Sequence, residues 1–146
     1  CQFIKDINGL QVITNSIPVL MQLESSQKVK VNLVGGEYDK NRRAVHGEMA
    51  LKHIAQYSAQ KAFIGTDGAS IKNGLTSQSE VELANSTAMA KQAYETYLLC
   101  DSTKLEYDAY VKMMDWKAIS MMITDGKIDN EIAKAYKDAG INMKIT

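Results

Sequence analysis

The chain has 146 residues, 17 basic against 17 acidic side chains, and 45% apolar residues. That length fits one domain over residues 1–146, large enough to bury roughly two thirds of its unfolded surface without staples. The composition excludes long disorder, and zero net charge argues against a nucleic-acid surface, which shows as a basic excess.

Residues 10–14 (LQVIT) read as a strand. Residues 16–25 carry Val19, Leu20 and Leu23 at helical spacing, with Pro18 tolerated in the first turn. Residues 29–34 (VKVNLV) form a second strand, followed by a polar loop, EYDKNRR. Residues 47–58 are rich in helix formers. Residues 61–65 (KAFIG) make a third strand, and a loop with Gly68 and Gly74 follows. Residues 79–94 form the longest helix, residues 96–100 a fourth strand and residues 118–124 a fifth, after an irregular stretch. A helix over 129–138 ends near Gly140, a C-terminal cap, before a last strand, INMKI.

Six strands alternating with helices imply crossovers and an α/β fold built on one largely parallel sheet. The strands read as continuous apolar runs, which predicts burial on both faces. Two thiols, Cys1 and Cys100, make no disulfide framework and fit a reducing, cytoplasmic setting. Neither a membrane span nor a signal peptide is visible, so no membrane partner is expected. The chain opens on Cys1 rather than Met, which suggests a piece of something longer.

In such a sheet, ligands bind at the carboxyl ends of the strands. The turns there are Thr14-Asn15-Ser16, Gly35-Gly36-Glu37, Gly65-Thr66-Asp67-Gly68, Asp101-Ser102-Thr103-Lys104 and Thr124-Asp125-Gly126, and they hold five of the nine glycines. Glycines let backbone N–H groups approach a phosphate closely. A helix start such as that at Ser16 favours negative charge. Lys104 adds a compact cation, and Asp67 and Asp101 can accept hydrogen bonds from sugar hydroxyls. Each turn also has an ordinary structural reading: Thr14-Asn15-Ser16 as a cap, Gly35-Gly36 as a tight turn, Asp67-Gly68 as a turn dipeptide, Lys104 as an exposed lysine. What raises them is that all fall on one edge of one sheet.

Other chemistries find little support. His46 and His53 stand seven apart with no cysteine or carboxylate cluster to complete a metal site, so no metal is expected. There is no G-x-S-x-G elbow, P-loop or G-x-G-x-x-G, so no catalytic residue and no cofactor is assigned. Met113-Met114, Met121-Met122, Trp116 and Cys100 read as core packing.

The ordered turns also carry a resemblance. Val-Ile-Thr-Asn-Ser at 12–16, Val-Gly-Gly-Glu at 34–37, Ala-Phe-Ile-Gly-Thr-Asp-Gly at 62–68, Gly-Leu-Thr at 74–76, Asp-Ser-Thr-Lys at 101–104 and Ile-Thr-Asp at 123–125 resemble the C-terminal sensor domain of DeoR-family repressors. The match in order and spacing runs from about residue 8 to the end. Glu82 and Gly47 fall where that family has a glutamate at the start of the long helix and a glycine before the third helix. The resemblance implies a ribose-5-phosphate isomerase-like or CoA-transferase-like fold, a Rossmann-like sheet flanked by helices. It implies a phosphorylated sugar as effector and a homo-oligomer. Operator DNA would be contacted only through an N-terminal winged helix-turn-helix, which nothing in residues 1–146 resembles. It further implies that the first strand and its phosphate loop lie upstream, with Cys1–Ile7 as the tail of the helix that follows them. The effector-binding residues expected on this basis are Thr14, Asn15, Ser16, Gly35, Gly36, Asp67, Gly68, Glu82 and Lys104.

Two further readings compete. An aldose–ketose sugar-phosphate isomerase of the same fold would need a carboxylate base and an enediolate-holding cation, roles Asp67, Glu82 and Lys104 could fill on paper. Such isomerases carry an acidic residue where this chain has Gly68, and a lysine–triglycine loop where it has Lys72-Asn73-Gly74. Both departures point to binding without catalysis. A ligand-free oligomerisation scaffold is the third reading, and response to a sugar phosphate separates it from a sensor.

Overall fold

The structure, a computed structural model, describes Cys1–Thr146. The chain packs as two compact units, Cys1–Tyr57 and Ser58–Thr146.

The first unit opens with turns rather than a helix. Ile4 N–H bonds the Cys1 carbonyl at 2.9 Å and Ile7 N–H bonds the Ile4 carbonyl at 3.1 Å, closures of three residues each. Phe3 is 85% exposed, and the expected helical tail at Cys1–Ile7 is corrected to a run of turns. Strands β1 (Leu10–Thr14) and β2 (Val29–Leu33) then pair in parallel, Leu10 opposite Val29 through Thr14 opposite Leu33. Helix α1 (Ile17–Leu23) connects them. Ser16 Oγ accepts from Val19 N–H at 3.4 Å, and Pro18 sits in the first turn, where its lack of an N–H is harmless.

The stretch expected as a polar loop is a hairpin of β3 (Glu37–Asp39) and β4 (Ala44–His46). The Asp39 carboxylate accepts from the Asn41 and Arg42 amides at 2.7 and 3.2 Å, and Arg43 takes a φ of 52° to close the turn. Strands of three residues show too little alternation to be read from sequence. Helix α2 (Glu48–Ile54) follows Gly47, whose φ is 93°, and is shorter than the expected 47–58. It tightens at its end, where Gln56 N–H bonds the His53 carbonyl and Tyr57 N–H the Ile54 carbonyl.

The second unit is built on a parallel sheet in the order β11-β10-β8-β5. Its strands are β5 (Ala59–Ile64), β8 (Ala93–Leu99), β10 (Met121–Thr124) and β11 (Met143–Ile145). A second, antiparallel sheet of β6 (Gly68–Ser70), β7 (Gly74–Ser77) and β9 (Val111–Met114) occupies stretches that read as loops. Helix α3 (Glu80–Lys91) is capped by Ser79, whose Oγ accepts from Glu82 N–H at 3.4 Å. Helix α4 (Asn130–Asp138) is capped by Asp129. It ends in a Schellman motif: Gly140 takes a φ of 77°, Ile141 N–H reaches the Tyr136 carbonyl at 3.0 Å, and Ile141 is buried.

All six strands expected from the sequence form, and all six pair in parallel. They run in two ladders, β1-β2 and β11-β10-β8-β5, not in one. The expectation of burial on both faces is also corrected for the second unit. Ala62, Ile64, Thr96, Leu98, Met122 and Thr124 are buried on one face, while Lys61, Phe63, Glu95 and Leu99 are exposed on the other. The open face is stitched by a Phe63–Tyr97 stack at 5.3 Å and a Lys61–Glu95 ion pair at 3.0 Å.

The buried face meets α4 and the antiparallel sheet in one continuous core that includes Leu75, Leu98, Cys100, Met122 and Tyr136. The Tyr136 ring lies edge-on to Trp116 at 5.5 Å, and its hydroxyl donates to the Ala69 carbonyl at 3.0 Å. Trp116 Nε1 donates to the Ser70 carbonyl at 2.8 Å, so this tryptophan is the packing anchor its sequence context suggested.

Candidate functional site

In the first unit, Thr14-Asn15-Ser16 and Gly35-Gly36 follow the carboxyl ends of two paired strands. The Val34 N–H donates to the Thr14 carbonyl at 2.8 Å, which ties the two turns together. Most polar groups of the first turn are engaged locally. Thr14 is buried, and its hydroxyl accepts from Ser16 N–H at 3.1 Å. The Asn15 side-chain amide donates to the Val45 carbonyl at 3.1 Å, and its own carbonyl accepts from Val45 N–H at 2.8 Å. Ser16 caps α1.

The second turn depends on having no side chains. A Cβ on Gly36, whose φ is 151°, would lie 2.5 Å from the His46 carbonyl oxygen. Gly35 N–H donates to His53 Nδ1 at 3.0 Å. An open cleft of about 590 Å³ lies beside this turn, lined by Gly35, Gly36, Glu37, His46, Lys52 and His53 among others. His46 and His53, seven apart in the sequence, stand on β4 and α2.

In the second unit, Asp67-Gly68 follows β5, and Lys104 ends a 3-10 turn, Ser102–Lys104, after the neighbouring strand β8. Asp67 is occupied as a loop fastener. One carboxylate oxygen accepts from Gln78 N–H at 2.8 Å and from Ser77 Oγ at 3.1 Å. Gly68 is buried beneath the next loop, and a Cβ there would meet the Tyr107 carbonyl at 2.4 Å and Thr76 Oγ1 at 2.8 Å. Glu82 stands in the first turn of α3, where its amide is capped by Ser79. Lys104 is half-buried, and its ammonium makes no ion pair among the described residues.

The carboxylates around Lys104 are held ionised by neighbours. The Thr103 hydroxyl and amide lower Asp101. The Ser102 and Lys127 amides lower Asp125, and its contact with Ser102 N–H is 2.8 Å long. Asp125 thereby locks the turn after β8 to the turn after β10. Burial, and then the Asp101 charge, push the Cys100 thiol up to about 12, which makes it an inert core group.

Sequence reasoning missed three participants. His53 sits behind Gly35, Tyr107 presses its carbonyl on Gly68, and Asp108 accepts from Ser70 Oγ at 2.7 Å and from the Asn73 side-chain amide. None lies in the turn it supports. The only sequence signal was indirect: glycine at 35 and 68 announced that something approaches closely there.

The strand-end carboxylates Asp67, Asp101 and Asp125 all accept hydrogen bonds that fasten their own turns. The family described as the DeoR C-terminal sensor domain matches residues 1–126, and the chain belongs to that family. It is a sensor domain of the type found in DeoR-family transcriptional regulators. Its relatives include the HTH-type transcriptional regulator GolR of Listeria innocua, 27% identical over 144 residues, covering 97% of this chain and 57% of the relative. The HTH-type transcriptional repressor GlcR of Bacillus subtilis is also 27% identical, covering 97% and 55%. The lactose phosphotransferase system repressor of Staphylococcus epidermidis is 31% identical over 132 residues, covering 88% and 51%. The chain spans about half the length of these relatives. No helix is long and apolar enough to cross a membrane.

Proposed function

We propose that this domain binds a phosphorylated sugar and acts as the effector sensor of a cytoplasmic, homo-oligomeric repressor of carbohydrate metabolism. Operator DNA is read by a helix-turn-helix outside the residues described. The observation that carries this reading is Lys104: a half-buried lysine without an ion pair, just past the carboxyl end of a parallel strand. Lys104 acts on the nearby Asp101 carboxylate without pairing with it directly, and an anionic ligand would supply a direct partner. Glycine-rich turns at the neighbouring strand ends supply backbone donors, and Asp67 keeps a second carboxylate oxygen for sugar hydroxyls. The name of the staphylococcal relative, a lactose phosphotransferase system repressor, supports the same substrate class.

The test is calorimetry and thermal shift of the intact protein against a panel of hexose and pentose phosphates. A binder raises the melting temperature in proportion to ln(1 + [L]/Kd). Lys104→Gln weakens that binder about tenfold to a hundredfold, the worth of a hydrogen bond to a charged group. The unliganded stability stays within about 0.5 kcal/mol of wild type. A panel with no binder at all, or a Lys104→Gln protein that binds as well as wild type, overturns the reading.

A further inference from the structure

The cleft beside Gly35-Gly36 contains a histidine that the proposed effector chemistry does not use. His53 Nδ1 accepts the Gly35 N–H at 3.0 Å. A backbone amide can only donate, so Nδ1 carries no proton and the imidazole is neutral with its proton on Nε2. That Nε2–H donates to the Tyr57 hydroxyl at 3.1 Å, and the two rings lie 5.4 Å apart. On its other side the turn meets β4, because the His46 carbonyl fills the space a Gly36 side chain would need. The turn is therefore gripped from α2 and from the hairpin at once.

We propose that His53 is the positioning residue of the Gly35-Gly36 turn, presetting its backbone for an anionic ligand while its imidazole is neutral. Tyr57 fixes the tautomer, and the tautomer fixes the Gly35 peptide plane. A protonated His53 offers Gly35 N–H a second donor instead of an acceptor, so the clasp opens when the ring takes up a proton. The charged and titratable groups around this ring are Glu48, Lys52 and Tyr57 on its own side, Glu37 on β3 and His46 on β4. Glu48 and Lys52 pair with each other at 2.6 Å, which leaves the Gly35 amide and Tyr57 as the ring's own partners. The value of the clasp for binding rests on the reading that this turn meets the effector; the clasp itself does not.

Amide-resolved NMR separates the two. In wild type the Gly35 amide signal moves with the His53 ring titration, and its protection from exchange falls as the ring protonates. His53→Leu lowers Gly35 protection about fivefold at neutral pH, the worth of a typical net hydrogen bond. His53→Asn, whose Oδ1 can take the place of Nδ1 as acceptor, restores the protection but removes its pH dependence. Inorganic phosphate, titrated as the probe, shifts the Gly35 and Gly36 amides about fivefold less tightly in His53→Leu than in His53→Asn. A Gly35 amide indifferent to both the substitution and the ring titration overturns the proposal. If His53→Leu fails to fold, the wild-type titration alone decides. Phosphate that shifts no amide in wild type sinks the effector reading and leaves the clasp standing.

Discussion

The two units hold their strand-end turns by different means. In Cys1–Tyr57 the turn after β2 is shaped by what it lacks: two glycines fit under a carbonyl and against an imidazole. In Ser58–Thr146 the turns are fastened by aspartates, with Asp67, Asp101, Asp108 and Asp125 each accepting from amides or hydroxyls nearby. The cores differ in the same direction. The second unit buries one continuous cluster around Leu98, Met122 and Tyr136, whereas the first buries Leu23, Val34 and Ile54 with half-exposed neighbours such as Val19 and Leu20. The first kind of turn is fixed by close backbone approach, the second by carboxylate acceptors.

The largest test of that contrast is core truncation. Tyr136→Ala removes a fully buried ring and its hydrogen bond to Ala69, and is expected to cost about 3–5 kcal/mol in denaturant unfolding. Leu23→Ala in the first unit is expected near the lower end, about 2–3 kcal/mol, because its half-exposed neighbours can relax into the space. Equal costs would break the claim that the two cores are packed differently.

A smaller effect sharpens the point about glycine. Gly74 and Gly140 share nearly the same positive φ, 74° and 77°, but only Gly74 is enclosed, with the Met114 carbonyl 2.4 Å from where a Cβ would stand. Gly140→Ala should cost only the left-handed strain, about 1–2 kcal/mol. Gly74→Ala should cost clearly more, and matching melting temperatures for the two variants would show that the enclosure is soft.

The smallest effect is in acid. Asp125 is lowered by the Ser102 and Lys127 amides, so its contribution is present above the ordinary carboxylate value of 3.8 and is lost as pH falls through the lower folded value. Denaturant midpoints should therefore fall between neutral pH and pH about 3 by less in Asp125→Asn than in wild type. An unchanged acid dependence in the variant would mean that the aspartate fasteners are decorative.

Much of this was legible in residue order. The six parallel strands, the helices between them, Ser16 as a cap and Gly140 as a terminator follow from apolar runs, β-branched content and turn chemistry, which are local properties. The two hairpins were not legible. Strands of three or four residues, such as Gly68–Ser70, carry no readable period, and glycine within them argues for a loop. The candidate site was half legible: the turns could be located, but not which of their polar groups were already committed. Asp67 looks available in sequence and is tied to Gln78, while Lys104 looks like an ordinary surface lysine and makes no ion pair.

What the sequence determined by itself is the α/β class, the family and the position of each polar turn, because each depends on residues within a few places of one another. Only the tertiary structure decided that the parallel strands form two ladders, that one sheet face is open, and that His53 stands behind Gly35. Those depend on hydrogen bonds and contacts between segments far apart in the chain, where a single donor or a filled Cβ space settles the outcome and leaves no periodic trace in the sequence.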